Sequence, residues 1–436
     1  MMDGPETALW PAAHEDREAA CARYRAVRGM TGEIAAPLSA EDQQIQSMPD
    51  VSPTKWHQAH VTWFFETFLL LPHLDGYAPF HPDFGYLFNS YYEGVGPRHA
   101  RPARGLLSRP PLAQVFAYRA HVDDAMERLI RETATERWAA LVPLFLLGLN
   151  HEQQHQELML TDIKHVFSVN PQKPRYHEPS PAPQRNSEAP EIRWLGHAGG
   201  VVELGHDGRD FGFDNEFPRH RTWIEDFEIA SRPVTNREFL DFIEDGGYAS
   251  ARHWLSDGWT TVRERGWQAP IYWRQADGAW LEFTLSGERS LDPAAPVCHL
   301  SFYEADAFAR WAGARLPGEA EWEVAAREAT PEEDAANLLA AGHLHPVAAT
   351  DAGADGPVQL LGDVWEWTQS SYGPYPGFRP AAGAVGEYNG KFMVNQVTLR
   401  GGSCATPPGH ARVTYRNFFY PDQRWQFTGL RLARDA

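Results

Sequence analysis

Residues 149–160 read LNHEQQHQELML. On a helix, His151 and His155 stand one turn apart, about 5–6 Å between Cβ atoms, so one metal ion can take a nitrogen from each. Leu144, Leu147, His151, His155, Leu158 and Asp162 share a stripe at helical spacing, which turns both imidazoles toward an apolar interior. The helical period runs over 136–167, and three more segments of the same kind precede it, at 12–30, 54–71 and 111–133. Four long helices in succession predict a four-helix bundle, whose core is where metal sites are built from facing helices. Pro143 is expected at a kink or at the start of the last helix rather than in its middle. Residues 72–110, rich in Pro, Gly and Tyr, predict a long irregular excursion of the kind that usually carries function.

A third metal ligand has to come from another helix. The segment TKWHQAHVTWFFETFLL, 54–70, offers His57 and His60, each flanked by Trp and Phe, and periodicity does not choose between them. A single buried histidine is usually a hydrogen-bonded core residue; three of them, two at i,i+4, favour a metal. Neutral imidazoles with open coordination positions suit Zn²⁺ or Fe²⁺, and ligand type does not separate the two. The same string satisfies the H-E-x-x-H pattern of zinc proteases, with Glu152 as the general base. A protease needs a third ligand downstream. The nearest carboxylates, Glu157 and Asp162, lie on the same helix, too close along its axis, so the match reads as chance.

The remaining chain sets the context. At 436 residues it can bury at least two cores. A formal charge of −19 argues against a nucleic-acid partner, whose phosphates it would repel. Three widely separated cysteines, Cys21, Cys298 and Cys404, form no disulfide framework and point to a reducing compartment. The first twenty residues lack the basic and apolar regions of an export signal. The greasiest run, LVPLFLLGL, is about half the length of a membrane span. The expectation is a cytoplasmic protein with no membrane partner. Residues 168–190 hold six prolines and few large aliphatic residues, which predicts a linker. Beyond it, short β-type runs (GGVVELG, RTWIEDFEIA, VTLRGGSC, GLRLAR) alternate with turn residues, and helical pieces appear near 235–245 and 302–312. This half reads as α+β.

That half also carries ordered motifs: GGVVELGHDG, NEFPRHRTWIEDFEIASRPVTNREFLDFIE, GARLPGEAEWEVAARE, GDVWEWTQS, LRGGSC with YRN, and GLRLAR. Together they resemble the formylglycine-generating (sulfatase-modifying factor) fold, a C-type-lectin-like α+β domain. The helical half resembles DinB-like metal-binding bundles. In this order the two resemble the ergothioneine sulfoxide synthases. The resemblance implies a two-domain α+β protein: a bundle over 1–167, the linker over 168–190, and the lectin-like domain over 191–436. It also implies a non-haem Fe(II) enzyme that uses O₂ to join a cysteine thiol to C2 of the imidazole of Nα-trimethylhistidine, releasing the sulfoxide.

Carried over by motif, the resemblance makes His60, His151 and His155 the metal ligands and assigns Gln154 to the substrate imidazole. Tyr91 and Tyr92, in LFNSYYEGVGPRHARPARG, resemble the tyrosine pair of one subgroup and would supply the catalytic phenol. Tyr372 and Tyr375 lie in the loop where the other subgroup carries its tyrosine; Tyr375 is also expected near substrate. Among Arg98, Arg101 and Arg104, Arg101 and then Arg98 are expected to grip the donor's carboxylate. Asn417 would contact trimethylhistidine, and Phe418 and Phe419 would face its quaternary ammonium. Relatives that use γ-glutamylcysteine carry Asp and Arg where this chain has Phe419 and Gln423, so free cysteine is the expected donor. Three rivals remain: the same reaction with γ-glutamylcysteine, a zinc-dependent DinB-like thiol transferase, and a lectin-like binding module without catalysis. A formylglycine-generating enzyme needs a reactive cysteine pair, and near the corresponding motif only Cys404 is present.

Overall fold

A computed structural model describes residues 16–178, 188–350 and 356–436. The first residues of the expected helix at 12–30 and the centre of the expected linker, 179–187, lie outside the described residues, as do the first fifteen of the twenty residues in which an export signal was sought. The chain divides into two compact units. The first comprises Met1–Val169 with Asp207–Phe213 and Arg379–Asn389; the second comprises Asn170–His206, Asp214–Phe378 and Gly390–Ala436.

The first unit is built on four long helices. The first, Arg17–Ala35, starts where the Asp16 carboxylate accepts the Ala19 amide at 2.9 Å. The second, Thr54–Phe65, is buried at every residue, continues through a π-turn at Glu66–Leu70, and ends at Leu71–His73. The third is Leu112–Glu132 and the fourth Thr135–Val169. Pro143 does not start the fourth helix, because Thr135 begins it two turns earlier; the proline ring sits on an exposed position. The stretch 72–110 is mostly irregular, with a short helix at Phe84–Phe88 and a 3₁₀ segment at Arg101–Leu106.

Two features fix how the second helix meets its neighbours, the first of them at the fourth helix. Gly148 lets the two helices approach: a Cβ there would fall 2.6 Å from the Phe65 ring. The π-turn inserts one residue and buries Glu66, whose carboxylate accepts the Tyr118 hydroxyl at 2.6 Å, the Tyr77 hydroxyl at 2.7 Å and the Phe80 amide at 3.0 Å. Those three donors tie the third helix and the irregular stretch to the second helix.

The second unit is mixed α and β. Strands β1 (Trp194–His197), β4 (Phe227–Ala230) and β12 (Ala433–Asp435) form one antiparallel sheet in the order β1-β4-β12. A second sheet runs β10-β9-β8-β11, from Asn417–Phe419, Val397–Arg400, Trp365–Ser371 and Thr428–Gly429. β2 (Gly200–Leu204) pairs with β3 (His220–Ile224), and β5 (Trp273–Ala276), β6 (Ala279–Thr284) and β7 (Gly287–Ser290) form a meander. The expected helical pieces are present at Asn236–Glu244 and Phe302–Trp311, each opened by a capping box, Thr235 with Glu238 and Ser301 with Glu304. Helices at Ser256–Arg265 and Glu319–Ala329 and the β5–β7 meander were not expected. The helix at Glu319–Ala329 packs Val324 and Ala325 against Leu204, Ile224, Phe227 and Ile229. Buried charges here are paired: Arg431 meets the Glu366 carboxylate at 2.8 Å, and Trp322 Nε1 donates to the same carboxylate at 2.7 Å.

Candidate metal centre

His60 comes from the second helix and His151 and His155 from the fourth, and their ligand nitrogens all lie within 4.8 Å of one another. His60 Nε2 and His151 Nε2 are 3.2 Å apart. Two nitrogens bound to one ion at about 2.0–2.1 Å, with a bond angle of roughly 100°, stand about 3 Å apart, so the pair is spaced for a shared metal.

The tautomers follow from the partners. His60 Nδ1–H donates to the Phe88 carbonyl at 2.6 Å, which leaves Nε2 bare. A carboxylate only accepts, so His57 Nε2–H donates to Asp162 Oδ2 at 3.0 Å. His57 Nδ1 is then the acceptor for His155 Nδ1–H, 2.7 Å away, and His155 Nε2 is bare as well. His151 Nδ1 is buried without a hydrogen-bond partner. Burial, reinforced by mutual repulsion, pushes the pKa values of His60 and His155 well below the usual imidazole value and that of His151 down to about 3. Burial also lowers His57, against the pull of Asp162. The cluster is therefore a set of neutral nitrogen donors, the form a metal ion requires.

Aromatic rings hold these imidazoles in place. The His60 ring is stacked between Trp56, at 4.6 Å, and Trp63, at 5.5 Å. Over the Trp56 ring lies the Arg104 guanidinium, 3.3 Å from the ring centroid, donating to Ser52 and Ser90 hydroxyls at 2.9 and 3.1 Å. Its positive charge adds to the factors that lower the pKa values of His57, His60 and His155.

Glu152, between the two histidines in sequence, points elsewhere. It is fully buried, accepting from Arg28 at 2.9 Å, Thr31 at 2.6 Å and Arg119 at 3.3 Å. Arg28 also reaches Asp123 at 2.7 Å and Thr62 at 3.0 Å, so all four helices contribute to this network. A carboxylate committed in this way activates no water at the histidines, and the protease pattern is accidental.

The phenol-bearing loop leaves the short helix at Phe88. Asn89 shapes it, accepting from the Tyr92 amide at 3.1 Å and donating to the Tyr92 and Gly96 carbonyls. Tyr91 and Tyr92 stack at 4.5 Å with hydroxyls 3.4 Å apart; Tyr92 is buried, and burial pushes its pKa well up. Segment Arg379–Asn389 completes the surroundings. The Glu387 carboxylate accepts the amides of Glu93 and Gly94 at 3.0 and 2.7 Å. Tyr388 donates its hydroxyl to Gln154 Oε1, and its ring lies 5.7 Å from His151, 6.5 Å from Tyr91 and 5.6 Å from Phe213.

Residues 23–159 match the DinB superfamily and residues 178–436 the sulfatase-modifying factor enzyme 1-like domain. The chain is 34% identical over 420 residues to the hercynine oxygenase of Mycolicibacterium smegmatis, covering 90% of this chain and 93% of the relative. It is 35% identical over 417 residues to that of Mycobacterium tuberculosis, covering 89% and 92%. The chain belongs to the hercynine oxygenase family. A formylglycine-generating enzyme of Streptomyces coelicolor is 30% identical over 306 residues, covering 59% of this chain and 93% of the relative. Family membership makes the chain an oxygenase, with a helical DinB domain and a sulfatase-modifying-factor domain.

Within this oxygenase, the expected site residues fall into two groups. His60, His151, His155, Gln154, Tyr91 and Tyr92 gather in the first unit, as described. Arg98 and Arg101 are exposed on the same loop; Arg98 pairs with Glu93 and Arg101 donates to the Asp50 carbonyl. Asn417, Phe418 and Phe419 lie on β10 of the second unit, where Phe418 stacks on Tyr372 at 4.0 Å and Phe419 packs on Trp425 at 6.2 Å. Tyr375 is buried there, its ring 3.9 Å from Arg416 and its hydroxyl 3.4 Å from Glu319, and Tyr372 is bonded by Asn215 at 2.9 Å. Among the described residues, no helix is long and apolar enough to cross a membrane.

In the sequence His57 was weighed only as an alternative ligand and Asp162 only as a downstream carboxylate, and Glu387 and Tyr388 went unassigned. The first two are visible as a His and an Asp at helical spacing on facing helices. Nothing local marks Glu387 and Tyr388, which reach the bundle from more than 200 residues away.

Proposed function

We propose that this oxygenase is an iron(II)-dependent sulfoxide synthase that joins cysteine to C2 of the imidazole of Nα-trimethylhistidine. The reading rests on one observation: three neutral imidazoles, two with tautomers fixed by hydrogen bonds, joined through the Tyr388 ring, 5.7 Å from His151 and 6.5 Å from Tyr91, to a stacked pair of phenols. The reaction balances without a further reductant. The thiol S–H and the ring C2–H are lost, a C–S bond forms, one oxygen of O₂ becomes the sulfoxide, and the other leaves as water.

His60, His151 and His155 would hold the iron, which when bound supplies one-electron chemistry with O₂ and acidifies the thiol. Gln154, oriented by Tyr388, positions the substrate imidazole. Tyr91 and Tyr92 serve as the proton-handling phenols; Tyr92, its charged form disfavoured by burial, keeps its proton, and Tyr91, only partly buried, is the one that meets substrate. Arg98 and Arg101 take the donor's carboxylate, while Arg104 supports Trp56. Asn417, Phe418 and Phe419 are assigned to the trimethylammonium-bearing end of the substrate. Free cysteine is the proposed donor because Phe419 and Gln423 provide no charged pair for a γ-glutamyl group.

The test is anaerobic loading with Fe(II), followed by O₂ uptake and product mass with trimethylhistidine and either cysteine or γ-glutamylcysteine. The expected result is a sulfoxide adduct from cysteine. An adduct from γ-glutamylcysteine alone overturns the donor assignment. No adduct and no O₂ consumption with either donor overturns the synthase reading.

A further inference from the structure

We propose that Asp162 and His57 are positioning residues for the metal centre, a buried relay that holds His155 as its Nδ1–H tautomer and presents Nε2 to the ion. The inference rests on His60, His151 and His155 being the ligands and adds what sets one of them.

The relay has a fixed direction because one end can only accept. Asp162 Oδ2 receives the Ser52 backbone amide at 2.7 Å and His57 Nε2–H at 3.0 Å. The amide keeps the carboxylate in place, and the carboxylate removes the choice of tautomer from His57. His57 Nδ1 then accepts from His155 Nδ1–H at 2.7 Å. His57 and Asp162 are both within a few per cent of complete burial, so water offers no competing partner. A ligand imidazole whose distal N–H donates into a carboxylate-terminated chain is both oriented and made a stronger donor.

The three ligands are consequently unequal. His60 is set by a neutral acceptor, the Phe88 carbonyl at 2.6 Å. His155 is set by a chain ending in a carboxylate, and His151 Nδ1 has no partner among the described residues. Without the relay, the buried Nδ1–H of His155 would lose its acceptor, and the ring would gain by moving its proton to Nε2, the nitrogen the metal needs.

The experiment titrates the metal-free full-length protein with Co(II), read by its visible absorption bands, for the parent and for Asp162→Asn, His57→Phe and His60→Ala. The relay predicts a 10–100-fold weaker affinity in Asp162→Asn and His57→Phe, with altered band positions. Asp162→Asn is nearly isosteric, and thermal melts of the metal-free proteins establish that it is folded. Co(II) affinity within threefold of the parent in folded Asp162→Asn, while His60→Ala loses the metal, overturns the relay and leaves the ligand assignment standing. Undiminished affinity in His60→Ala overturns the ligand assignment itself. Nitrogen-15 spectra of the metal-free parent give a second reading that needs no variant: His155 protonated at Nδ1 and His57 at Nε2 support the relay, and His155 protonated at Nε2 overturns it.

Discussion

Two faces of one helix, represented by adjacent residues, have opposite electrostatics. His151 and His155 face an aromatic interior where burial keeps every imidazole neutral. Glu152 faces the other way, among Arg28, Arg119 and Thr31, where its charge is met on several sides. The histidine face gathers unshared nitrogen lone pairs within 4.8 Å of one another. The glutamate face spends its polarity on joining four helices. A five-letter motif therefore has no chemistry of its own; each side chain takes its role from whatever the neighbouring helices put opposite it.

Substitutions on the histidine face should remove function and spare the fold. Alanine at His60 or His155 is expected to lower O₂-dependent product formation by at least about 10³-fold, a loss of roughly 4 kcal/mol, while the metal-free variant still unfolds in a single cooperative transition. A variant that keeps a tenth of the parent rate would break the comparison.

The glutamate face should behave the other way. Glu152→Ala leaves Arg28 and Arg119 buried with less compensation, and a loss of about 3–5 kcal/mol in urea unfolding is expected. Whatever folds should still bind Co(II) with parent-like affinity; a variant of unchanged stability and abolished metal binding would return Glu152 to the active centre.

Acid sharpens the contrast further. The unfolded chain takes up a proton at His151 below about pH 6.5, and the folded one does so only near 3, so the stability this residue contributes is lost as pH falls. The slope is about 1.4 kcal/mol per pH unit, or roughly 2 kcal/mol between pH 7 and 5 from His151 alone, and His60 and His155 act in the same direction. Urea titrations of the metal-free protein at the two pH values measure it. Equal stabilities at both would mean the imidazoles are not held neutral by burial.

The smallest effect concerns Tyr388. Tyr388→Phe removes one hydrogen bond to Gln154, about 1 kcal/mol. A roughly fivefold rise in KM for trimethylhistidine, with kcat and Co(II) affinity little changed, is the expected signature. A change in kcat alone would instead give Tyr388 a part in the chemistry.

Much of this arrangement was legible in the chain because it is written in helical period. The four bundle helices, the i,i+4 histidines and the candidate pair His57 and His60 all announce themselves at that spacing. Periodicity could not divide the labour between His57 and His60. Both face the same interior, and what separates them is Asp162 on one side and the Phe88 carbonyl on the other. Of the two places expected for Pro143, the helix start is excluded, because eight residues, from Thr135, precede it in the helix; a proline's missing N–H and fixed φ suit a first turn but do not by themselves mark one. In the second unit, the helix at Glu319–Ala329 was hidden inside a motif used for recognition, and the β5–β7 meander by short, polar strands with little alternation. Tyr388 was beyond local reading altogether.

That last residue gives the chain a timetable. A ribosome delivers the bundle's histidines by residue 155 and the fourth helix by Val169, but Glu387 and Tyr388 only some 220 residues later. At about 5–20 residues per second, the interval is roughly ten to forty-five seconds. For that time the nascent chain has neither the carboxylate that pins the Tyr91–Tyr92 loop nor the phenol that holds Gln154. The first compact unit is therefore complete only when nearly nine-tenths of the chain has been made, and the surroundings of Gln154 and of the tyrosine pair are among the last parts of it to be supplied.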